Sequence, residues 1–299
     1  MTRVKIGVDL GGTKIEVAAL NEDRQILTRK RMATPKGNYT AALEAIAQLI
    51  HETENELRTT ATVGVGMPGS FSPQTGLVRN ANSTWLNNQA LDKDLQNLLG
   101  REIHFANDAN CLALSEAVDG AGEGCNVVFA IILGTGVGGG LAINGKVHKG
   151  ANGLGGEWGH NPLPWLKAED YPGPKCYCGK LGCIETFISG NSFSNDYSKR
   201  TGRRLIAQDI IRAAEDGEAE ARDAFNRYQR RLAKAIAGVA NLLDPDVIVL
   251  GGGMSNVTRL YDRLPELVQY SIFGGEFKTP IRPAKHGDSS GVRGAAWLW

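Results

Sequence analysis

A strand, a glycine-rich turn and a second strand occur in the same order at two places in this chain of 299 residues. The first copy reads VKIGVDL, GGTK and IEVAAL, and a third β-rich run, QILTRKRM, follows it. The second copy reads VVFAIIL, GTGVGG and GLAIN, and the Asn144-Gly145 pair after it is a hairpin turn signal. The repeat predicts two α/β lobes related by duplication, with a cleft between them.

Helical patterns follow both copies of the repeat. Residues 38–57 carry apolar side chains at helical spacing, and residues 219–243 are predicted to form a long helix that Pro245 ends. The carboxyl-terminal residues are predicted to pack back on the first lobe. The expected domains are a small amino-terminal α/β lobe of residues 1–106 with about 288–299, and a large α/β lobe of residues 107–287.

The charge balance and the apolar runs exclude two classes of partner. Lys and Arg number 33 against 32 Asp and Glu, so the formal net charge is +1 and no basic footprint for nucleic acid stands out. The longest apolar run, residues 127–133, is far shorter than the ~20 residues of a membrane-spanning helix. The start of the chain lacks a signal-peptide pattern. We therefore expect a cytoplasmic protein that binds neither nucleic acid nor membrane.

The two glycine-rich turns are candidate phosphate-binding sites. Because glycine has no Cβ, backbone N–H groups can approach an anion closely. One such turn alone can equally be a tight hairpin, but two matching turns and a third glycine cluster favour a nucleotide site, and Asp9 is placed to hold Mg²⁺. The pattern is neither a Walker loop nor a Rossmann fingerprint, since the first copy continues as a hairpin. The candidate residues are Asp9, Gly11, Gly12, Thr13, Lys14, Gly134, Thr135, Gly136, Val137, Gly138, Gly251 and Gly252.

The run FANDANCLALSEA contains a candidate general base. It places Asp108 after a strand and before a helix that is predicted to start near Asn110. Phosphoryl transfer to an alcohol needs a carboxylate within hydrogen-bond reach of the hydroxyl, and Asn107 could orient that hydroxyl. The alternative is that Asp108 is a helix N-cap, worth ~1 kcal/mol, which this stretch alone favours. The position of Asp108 between the two glycine turns in the sequence supports the base.

Three more polar side chains are candidates for binding a sugar. Glu157 and His160 lie three residues apart beside Trp158, and Glu185 follows the last clustered cysteine. Carboxylates and imidazoles near an aromatic surface suit several sugar hydroxyls at once, because each can anchor two of them. The alternative for a single Glu on a loop is simple solvation, so these assignments need support from the fold.

Three of the five cysteines lie in the run CYCGKLGC. In a reducing compartment such a cluster more often binds metal than forms disulfides. His160, Cys176, Cys178 and Cys183 offer one imidazole and three thiolates, a complete tetrahedral set for a structural Zn²⁺ that would pin the loop 160–183. The alternative is a set of reduced, partly buried thiols.

With these motifs the chain resembles the ROK sugar kinases. The resemblance covers essentially the whole chain and rests on DLGGTK, GMPG, NDANC, LGTGVGGG, GEWGH, CYCGKLGCIE and VIVLGGG in that order. It implies an α/β fold of the duplicated actin-like (ribonuclease H-like) ATPase type, with two lobes and an interlobe cleft. Within the family, NANSTWLN and the terminal KHGDSSGVRGAAWLW look most like bacterial fructokinases of the manno(fructo)kinase type.

The resemblance implies a role for each candidate residue. Asp108 is then the catalytic base, the two glycine turns hold the phosphates of ATP with Mg²⁺, and the His and Cys ligands hold a structural Zn²⁺. It also implies a homodimer. The implied sugar site consists of Gly69, Asn82, Asn107, Glu157, His160 and Glu185.

The expected activity is ATP-dependent phosphorylation of the 6-hydroxyl of a hexose. NANSTWLN is the reason for expecting D-fructose, with mannose as a second substrate. The alternatives within this class are glucose, N-acetylglucosamine and N-acetylmannosamine. A different class is a sugar-responsive repressor or a non-catalytic sugar sensor. The first glycine turn follows directly on Asp9, so we expect no helix-turn-helix ahead of it.

Overall fold

The computed structural model describes residues 4–299, and the two copies of the repeat form separate five-stranded sheets. The strands are β1 Lys5–Leu10, β2 Lys14–Leu20, β3 Ile26–Ala33, β4 Thr62–Met67, β5 Ser70–Phe71, β6 Val78–Arg79, β7 His104–Asn107, β8 Val127–Leu133, β9 Val137–Ile143, β10 Lys146–Val147, β11 Val247–Gly251 and β12 Ile281–Pro283. The α-helices are α1 Tyr39–Leu57, α2 Leu91–Leu99, α3 Asp108–Asp119, α4 Glu185–Ile188, α5 Gly190–Thr201, α6 Ala207–Glu215, α7 Ala219–Leu243, α8 Arg259–Gln269 and α9 Ser290–Ala296. Within residues 4–299, no helix is long and apolar enough to cross a membrane.

The first sheet has the strand order β3-β2-β1-β4-β7. β1 and β2 are antiparallel, as are β2 and β3, whereas β4 and β7 run parallel to β1. A short turn suffices for each antiparallel pair, but a parallel pair needs a crossover, which α1 and α2 supply. β1 and β4 are mostly buried because both faces of the sheet are covered. The register sets Asp9 opposite Glu16.

The second sheet repeats this arrangement, with the strand order β10-β9-β8-β11-β12. β8, β11 and β12 are parallel, and β9 and β10 form an antiparallel hairpin. Asn144 and Gly145 have φ values of 51° and 69° at its tip, as a primed two-residue turn requires. The duplicated α/β fold is therefore confirmed.

The chain divides into two compact units. Unit 1 comprises Met1–Asn126, Gly140–Gly156 and Lys285–Trp299, and unit 2 comprises Val127–Gly139 and Glu157–Ala284. The carboxyl-terminal residues Lys285–Trp299 belong to unit 1. α3 also belongs to unit 1, whereas the sequence prediction assigned all of residues 107–287 to the other lobe.

α3 belongs to unit 1 because small residues let it approach α9. A Cβ on Gly294 of α9 would overlap the carbonyl oxygen of Cys111 in α3. α9 in turn packs on the first sheet, where Val292 and Ala296 contact Ala18 and Leu20. This packing joins residues far apart in sequence, and a local hydrophobic pattern does not reveal it.

We expect Gly294→Ala to destabilise the protein by about 3 kcal/mol, because overpacking forces the helix and the backbone of α3 apart. The measurement is urea unfolding at equilibrium. Gly238→Ala in α7 is the matched control, since a Cβ there meets only Pro164 at 3.8 Å. Alanine at that helical position is expected to be neutral or to stabilise by up to about 1 kcal/mol. Equal effects of the two variants would contradict the packing argument.

Candidate active site and metal site

Asp9 and the first glycine turn begin the candidate site of unit 1. Asp9 lies near the end of β1 and is half-buried, and the Gly11 N–H donates to the Lys14 carbonyl oxygen at 3.0 Å, which closes the turn. A Cβ on Gly12 would lie 3.1 Å from Ser83 Oγ, so the segment NANSTWLN lies beside this turn. Gly12 and the adjacent Thr13 are exposed, and their backbone is open to a ligand.

The electrostatics of Asp9 fit a divalent cation. Burial, together with the carboxylates of Asp108 and Glu16, raises the pKa of Asp9 from 3.8 to about 6, while the Lys14 ammonium acts in the opposite direction. A magnesium ion would remove the cost of holding these carboxylates ionised near one another. Asp9 therefore fits the predicted role of an Mg²⁺ ligand, directly or through water.

We expect Asp9→Asn to stabilise the ligand-free protein at pH 8 by up to about 3 kcal/mol. Folding raises the pKa of Asp9 from 3.8 to about 6, and each pKa unit corresponds to about 1.4 kcal/mol in the free energy of unfolding. The folded-state pKa lies above the unfolded-state value of 3.8, so the native state favours the protonated acid. The stabilisation that the protonated Asp9 contributes to the native state is complete below pH 3.8, and it is lost as the pH rises through about 6. Urea unfolding at pH 5 and pH 8 without magnesium tests this. A variant less stable than wild type at pH 8 would contradict it.

Asn107 and Asp108 lie where β7 passes into α3. Asn107 Oδ1 accepts a hydrogen bond from the Ala109 N–H at 2.9 Å, so Asn107 is the N-cap of α3. Asp108 is the first residue of the helix, not its cap, and its carboxylate Oδ1 accepts from the same N–H at 2.8 Å. Asp108 is solvent-exposed, as a residue that must reach a substrate requires. The N-cap role that was the alternative for Asp108 therefore belongs to Asn107.

Gly69 is held beside Asn107, as the predicted sugar site requires. Asn107 Nδ2 donates to the Gly69 carbonyl oxygen at 3.2 Å. Gly69 has a φ of 76°, and a Cβ there would overlap the Arg79 carbonyl oxygen, so glycine is needed. Asn87 holds the next segment in a loop, because its side chain bonds both the N–H and the carbonyl oxygen of Ala81 at 2.9 and 3.1 Å. The exposed Asn82 lies on this loop.

The second glycine turn belongs to unit 2 and is tied to Glu185. The Gly134 N–H donates to the Gly136 carbonyl oxygen at 3.0 Å, and Gly190 at the start of α5 donates to the Gly134 carbonyl oxygen at 2.8 Å. The Val137 N–H donates to the Glu185 carboxylate at 3.0 Å. Thr135 is exposed at the tip of the turn. Glu185, a predicted sugar-binding residue, therefore contacts the predicted phosphate-binding turn directly within unit 2.

The other predicted residues of unit 2 lie around the same turn. Glu157–His160 form a 3₁₀ helix, and a Cβ on Gly159 would lie 2.5 Å from the Val137 carbonyl oxygen. Gly252, with a φ of 82°, packs on the carbonyl oxygen of Leu133 just before the turn. These contacts bring the 3₁₀ helix Glu157–His160 together with Glu185, Gly134, Gly136, Val137 and Gly252. Gly138 lies in β9, and Gly251 ends β11.

The four predicted metal ligands form a cluster. The ligand atoms of His160, Cys176, Cys178 and Cys183 all lie within 4.8 Å of one another. His160 Nδ1 is 3.5 Å from Cys176 Sγ, and the sulfurs of Cys178 and Cys183 are 3.6 Å apart. Zn–S bonds of ~2.3 Å in a tetrahedron set sulfurs about 3.8 Å apart, so this donor set fits a zinc ion with no open position.

Tyr177 contacts this cluster, although the sequence motifs did not identify it as a site residue. Its hydroxyl lies 2.9 Å from His160 Nε2, and the two rings meet edge to face with centroids 5.0 Å apart. A hydrogen bond to the second ring nitrogen orients a metal-bound histidine. The position of Tyr177 between two predicted ligands was the signal that could have found it.

Glu16 and Asn110 are two further site-supporting residues that the sequence did not reveal. Glu16 is buried and accepts hydrogen bonds from Arg29 Nε at 2.5 Å and Arg31 Nε at 2.6 Å, and Lys14 Nζ lies 3.5 Å away. Asn110 Oδ1 accepts from the Leu141 N–H at 3.1 Å, which fixes α3 to β9. Neither shows a local signal, because the partners come from other strands.

The ROK family sequence model matches residues 5–299 of this chain. The chain belongs to the ROK family. An N-acetyl-D-glucosamine kinase of Haemophilus influenzae (strain 86-028NP) is 40% identical over 298 residues, which cover 98% of both chains. An N-acetyl-D-glucosamine kinase of Vibrio cholerae serotype O1 is 40% identical over 296 residues, again 98% of both chains.

Solved structures agree with this ROK assignment. A ROK hexokinase from Thermus thermophilus has a TM-score of 0.87 and 30% identity, covering 100% of this chain and 97% of that one. A ROK family glucokinase from Streptomyces griseus, solved with glucose and AMPPNP, has a TM-score of 0.78 and 28% identity, covering 99% of this chain and 98% of that one. This ROK protein is therefore an ATP-dependent sugar kinase, and its fold is consistent with the actin-like ATPases.

The expectation of fructose as substrate is not supported by these relatives. The two relatives at 40% identity are N-acetyl-D-glucosamine kinases, and this sugar is one of the alternatives within the kinase class. The segment NANSTWLN, on which the fructose prediction rested, forms the loop held by Asn87. The fold of a loop does not by itself identify the hydroxyls that the site reads.

Proposed function

We propose that this ROK kinase transfers the γ-phosphate of ATP to the 6-hydroxyl of N-acetylglucosamine. The choice of sugar rests on one observation. The chain is 40% identical to an N-acetyl-D-glucosamine kinase over 98% of both chains. The phosphoryl-transfer chemistry is supported by the charge interaction between Asp9 and Asp108 and by the hydrogen bond from Asn107 to Gly69 in unit 1. Fructose, glucose and N-acetylmannosamine become the comparison substrates.

In this proposal Asp108 is the general base. Its carboxylate accepts the proton of the sugar 6-hydroxyl as that oxygen bonds to the γ-phosphorus, and the bond from phosphorus to the β–γ bridging oxygen breaks to release ADP. The exposure of Asp108 at the start of α3 supports the role. Asn107 caps the same helix and keeps the backbone beneath the base rigid.

The nucleotide phosphates are assigned to the two glycine turns. The exposed Gly12 and Thr13 and the turn at Gly134–Gly138 offer backbone N–H groups to anionic oxygens. Asp9 would hold Mg²⁺, which supplies charge neutralisation at the phosphates when bound. Lys14 adds a positive charge beside the first turn, and Gly251 and Gly252 contribute to the remainder of the nucleotide site.

The sugar hydroxyls are assigned to two groups of polar residues. Gly69, Asn82 and Asn107 belong to unit 1, and Glu157, His160 and Glu185 belong to unit 2. Glu185 uses one carboxylate oxygen for the Val137 N–H and keeps hydrogen-bonding capacity for a sugar hydroxyl. His160 already bonds Tyr177 through Nε2, so a sugar hydroxyl at that nitrogen would share or replace this bond.

We also propose that His160, Cys176, Cys178 and Cys183 hold a structural Zn²⁺. The closed donor set supports a structural role, because a catalytic zinc needs an open position. The homodimer that the family resemblance predicts belongs to the same proposal, and light scattering of the purified protein measures it.

The experiment is ADP release from Mg-ATP with purified protein on N-acetylglucosamine, N-acetylmannosamine, glucose, fructose and mannose. The expected result is the highest kcat/KM on N-acetylglucosamine. A higher kcat/KM on fructose would restore the sequence prediction and overturn the proposed substrate. No turnover on any of these sugars would overturn the kinase mechanism and favour a sensor that binds sugar without phosphorylating it.

A further inference from the structure

The two ring nitrogens of His160 face different partners. Nδ1 lies 3.5 Å from Cys176 Sγ, on the side of the proposed metal cluster, and Nε2 lies 2.9 Å from the hydroxyl of Tyr177. A histidine nitrogen that binds a metal offers its lone pair, so the ring proton of the neutral imidazole is on the other nitrogen. Nε2–H then donates to the Tyr177 oxygen. The single N–H of this predicted sugar-binding imidazole is therefore used by a residue of the protein itself.

Tyr177 has a fixed backbone but an exposed side chain. It lies in the run 176–178, and the Cys176 N–H donates to the Lys180 carbonyl oxygen at 2.8 Å, which closes the loop around it. The residue is 71% exposed, and its ring meets that of His160 edge to face. Exposed side chains change rotamer rapidly, and this one can turn into solvent without repacking a core. Releasing His160 therefore requires a rotation of one side chain and no movement of the loop.

The hydroxyl of Tyr177 lies where the predicted sugar-binding residues of unit 2 meet. His160 belongs to the 3₁₀ helix Glu157–His160. Burial and the carboxylate of Glu185 raise the pKa of the Tyr177 hydroxyl, and Glu157 acts in the same direction, so both carboxylates lie near it. A phenol hydroxyl and a sugar hydroxyl each accept a hydrogen bond and donate one. Tyr177 thus presents to His160 the same chemical group that a sugar would present.

We propose that the Tyr177 hydroxyl takes the place of a sugar hydroxyl on His160 Nε2 when no sugar is bound, and that the substrate displaces it. One N–H makes one strong hydrogen bond, so the two hydroxyls compete. The apparent affinity for the sugar is then reduced in proportion to the fraction of molecules whose Nε2 is open. Tyr177 therefore sets the affinity for the substrate and takes no part in the chemistry. This inference rests on the proposed function, because it takes His160 as a sugar-binding residue.

Tyr177→Phe removes the hydroxyl and keeps the ring, and it should strengthen sugar binding. We expect the Kd of the sugar to fall by about 2- to 10-fold, the contribution of one neutral hydrogen bond, with kcat and the KM of ATP unchanged. The measurement is calorimetric titration of sugar into the full-length protein saturated with a non-hydrolysable ATP analogue and Mg²⁺, together with steady-state kinetics. The sugar is the one of the five with the highest kcat/KM on wild type. Tyr171→Phe is the matched control, since this exposed tyrosine on the same loop lies outside the cluster and should bind as wild type does.

The displacement itself is measured by ¹⁹F NMR of the protein labelled with 3-fluorotyrosine. The resonance that is missing from Tyr177→Phe belongs to Tyr177, and the one missing from Tyr171→Phe belongs to Tyr171. We expect the Tyr177 resonance to shift as sugar is added, with the Kd found by calorimetry, and the Tyr171 resonance to stay in place. Zinc content should be the same in all three proteins, because neither hydroxyl belongs to the donor set.

The sign of the affinity change decides the inference. Weaker sugar binding by Tyr177→Phe would overturn it and would assign the hydroxyl to orienting His160 or to contacting the sugar. Unchanged affinity, or a Tyr177 resonance that does not respond to a sugar that binds, would overturn it as well. Absence of turnover on every sugar would overturn the proposed function instead, since the affinity ratio and the ¹⁹F shift are binding measurements. Absence of binding by every sugar would overturn both.

Discussion

Asp108→Asn is expected to lower kcat by about 10²–10⁴-fold, the usual loss when a general base is removed. The amide has nearly the same size as the carboxylate but cannot take the proton of the attacking hydroxyl. Since Asn107 and not Asp108 caps α3, the substitution leaves the cap of the helix in place. The measurement is steady-state ADP release, with the binding of sugar and of nucleotide measured by titration on the same protein.

The matched control for this prediction is Asp209→Asn. Asp209 also lies in the first turn of a helix, α6, and pairs with the exposed Arg212 at 2.7 Å. Its loss should leave kcat unchanged, because exposed pairs contribute little. Unchanged turnover in Asp108→Asn would refute the base assignment. A loss that comes entirely from weaker sugar binding would assign Asp108 to binding instead.

Cys183→Ser is expected to reduce the zinc content from about one ion per chain to a small fraction of it, and to lower the unfolding temperature markedly. The binding free energy of a structural zinc contributes directly to folding, so losing one of four ligands removes stability as well as metal. Cys183 is buried, and burial together with the neighbouring thiols raises its pKa to about 12 in the absence of metal. Metal analysis and thermal unfolding with and without a chelator measure both effects.

Cys125→Ser is the control for the metal site. Cys125 is a half-buried free thiol outside the cluster, so its replacement should retain zinc and cost little stability. The chelator should lower the unfolding temperature of wild type and Cys125→Ser but have little effect on Cys183→Ser. A Cys183→Ser protein that retained zinc and full stability would refute the structural metal site.

Replacing Asp9 should change the stability and the activity of the protein in opposite directions. The buried carboxylate of Asp9 destabilises the ligand-free fold at neutral pH, yet it is the proposed magnesium ligand. Strained or costly groups concentrate at functional sites, where the ligand compensates the cost. Asp9→Asn should therefore be more stable and less active than wild type.

Several features could be predicted from the sequence because they depend on neighbouring residues. The long helix α7 spans Ala219–Leu243, as predicted, since helical periodicity and a following proline are local signals. The Asn144-Gly145 hairpin follows from the backbone preference of its two turn residues, which both have positive φ. The metal cluster follows from ligand type and a short loop. Together these patterns determined the duplicated fold and the class of chemistry.

The tertiary structure decided what depends on partners distant in the sequence. It assigned α3 to unit 1 through the contact of Gly294 with Cys111, and it identified Asn107 as the helix cap by its bond to Ala109. It also placed the Tyr177 hydroxyl beside His160 Nε2, a contact between residues 17 positions apart. Such contacts are set by side-chain volume and hydrogen-bond geometry in three dimensions, and the order of residues along the chain does not encode them locally.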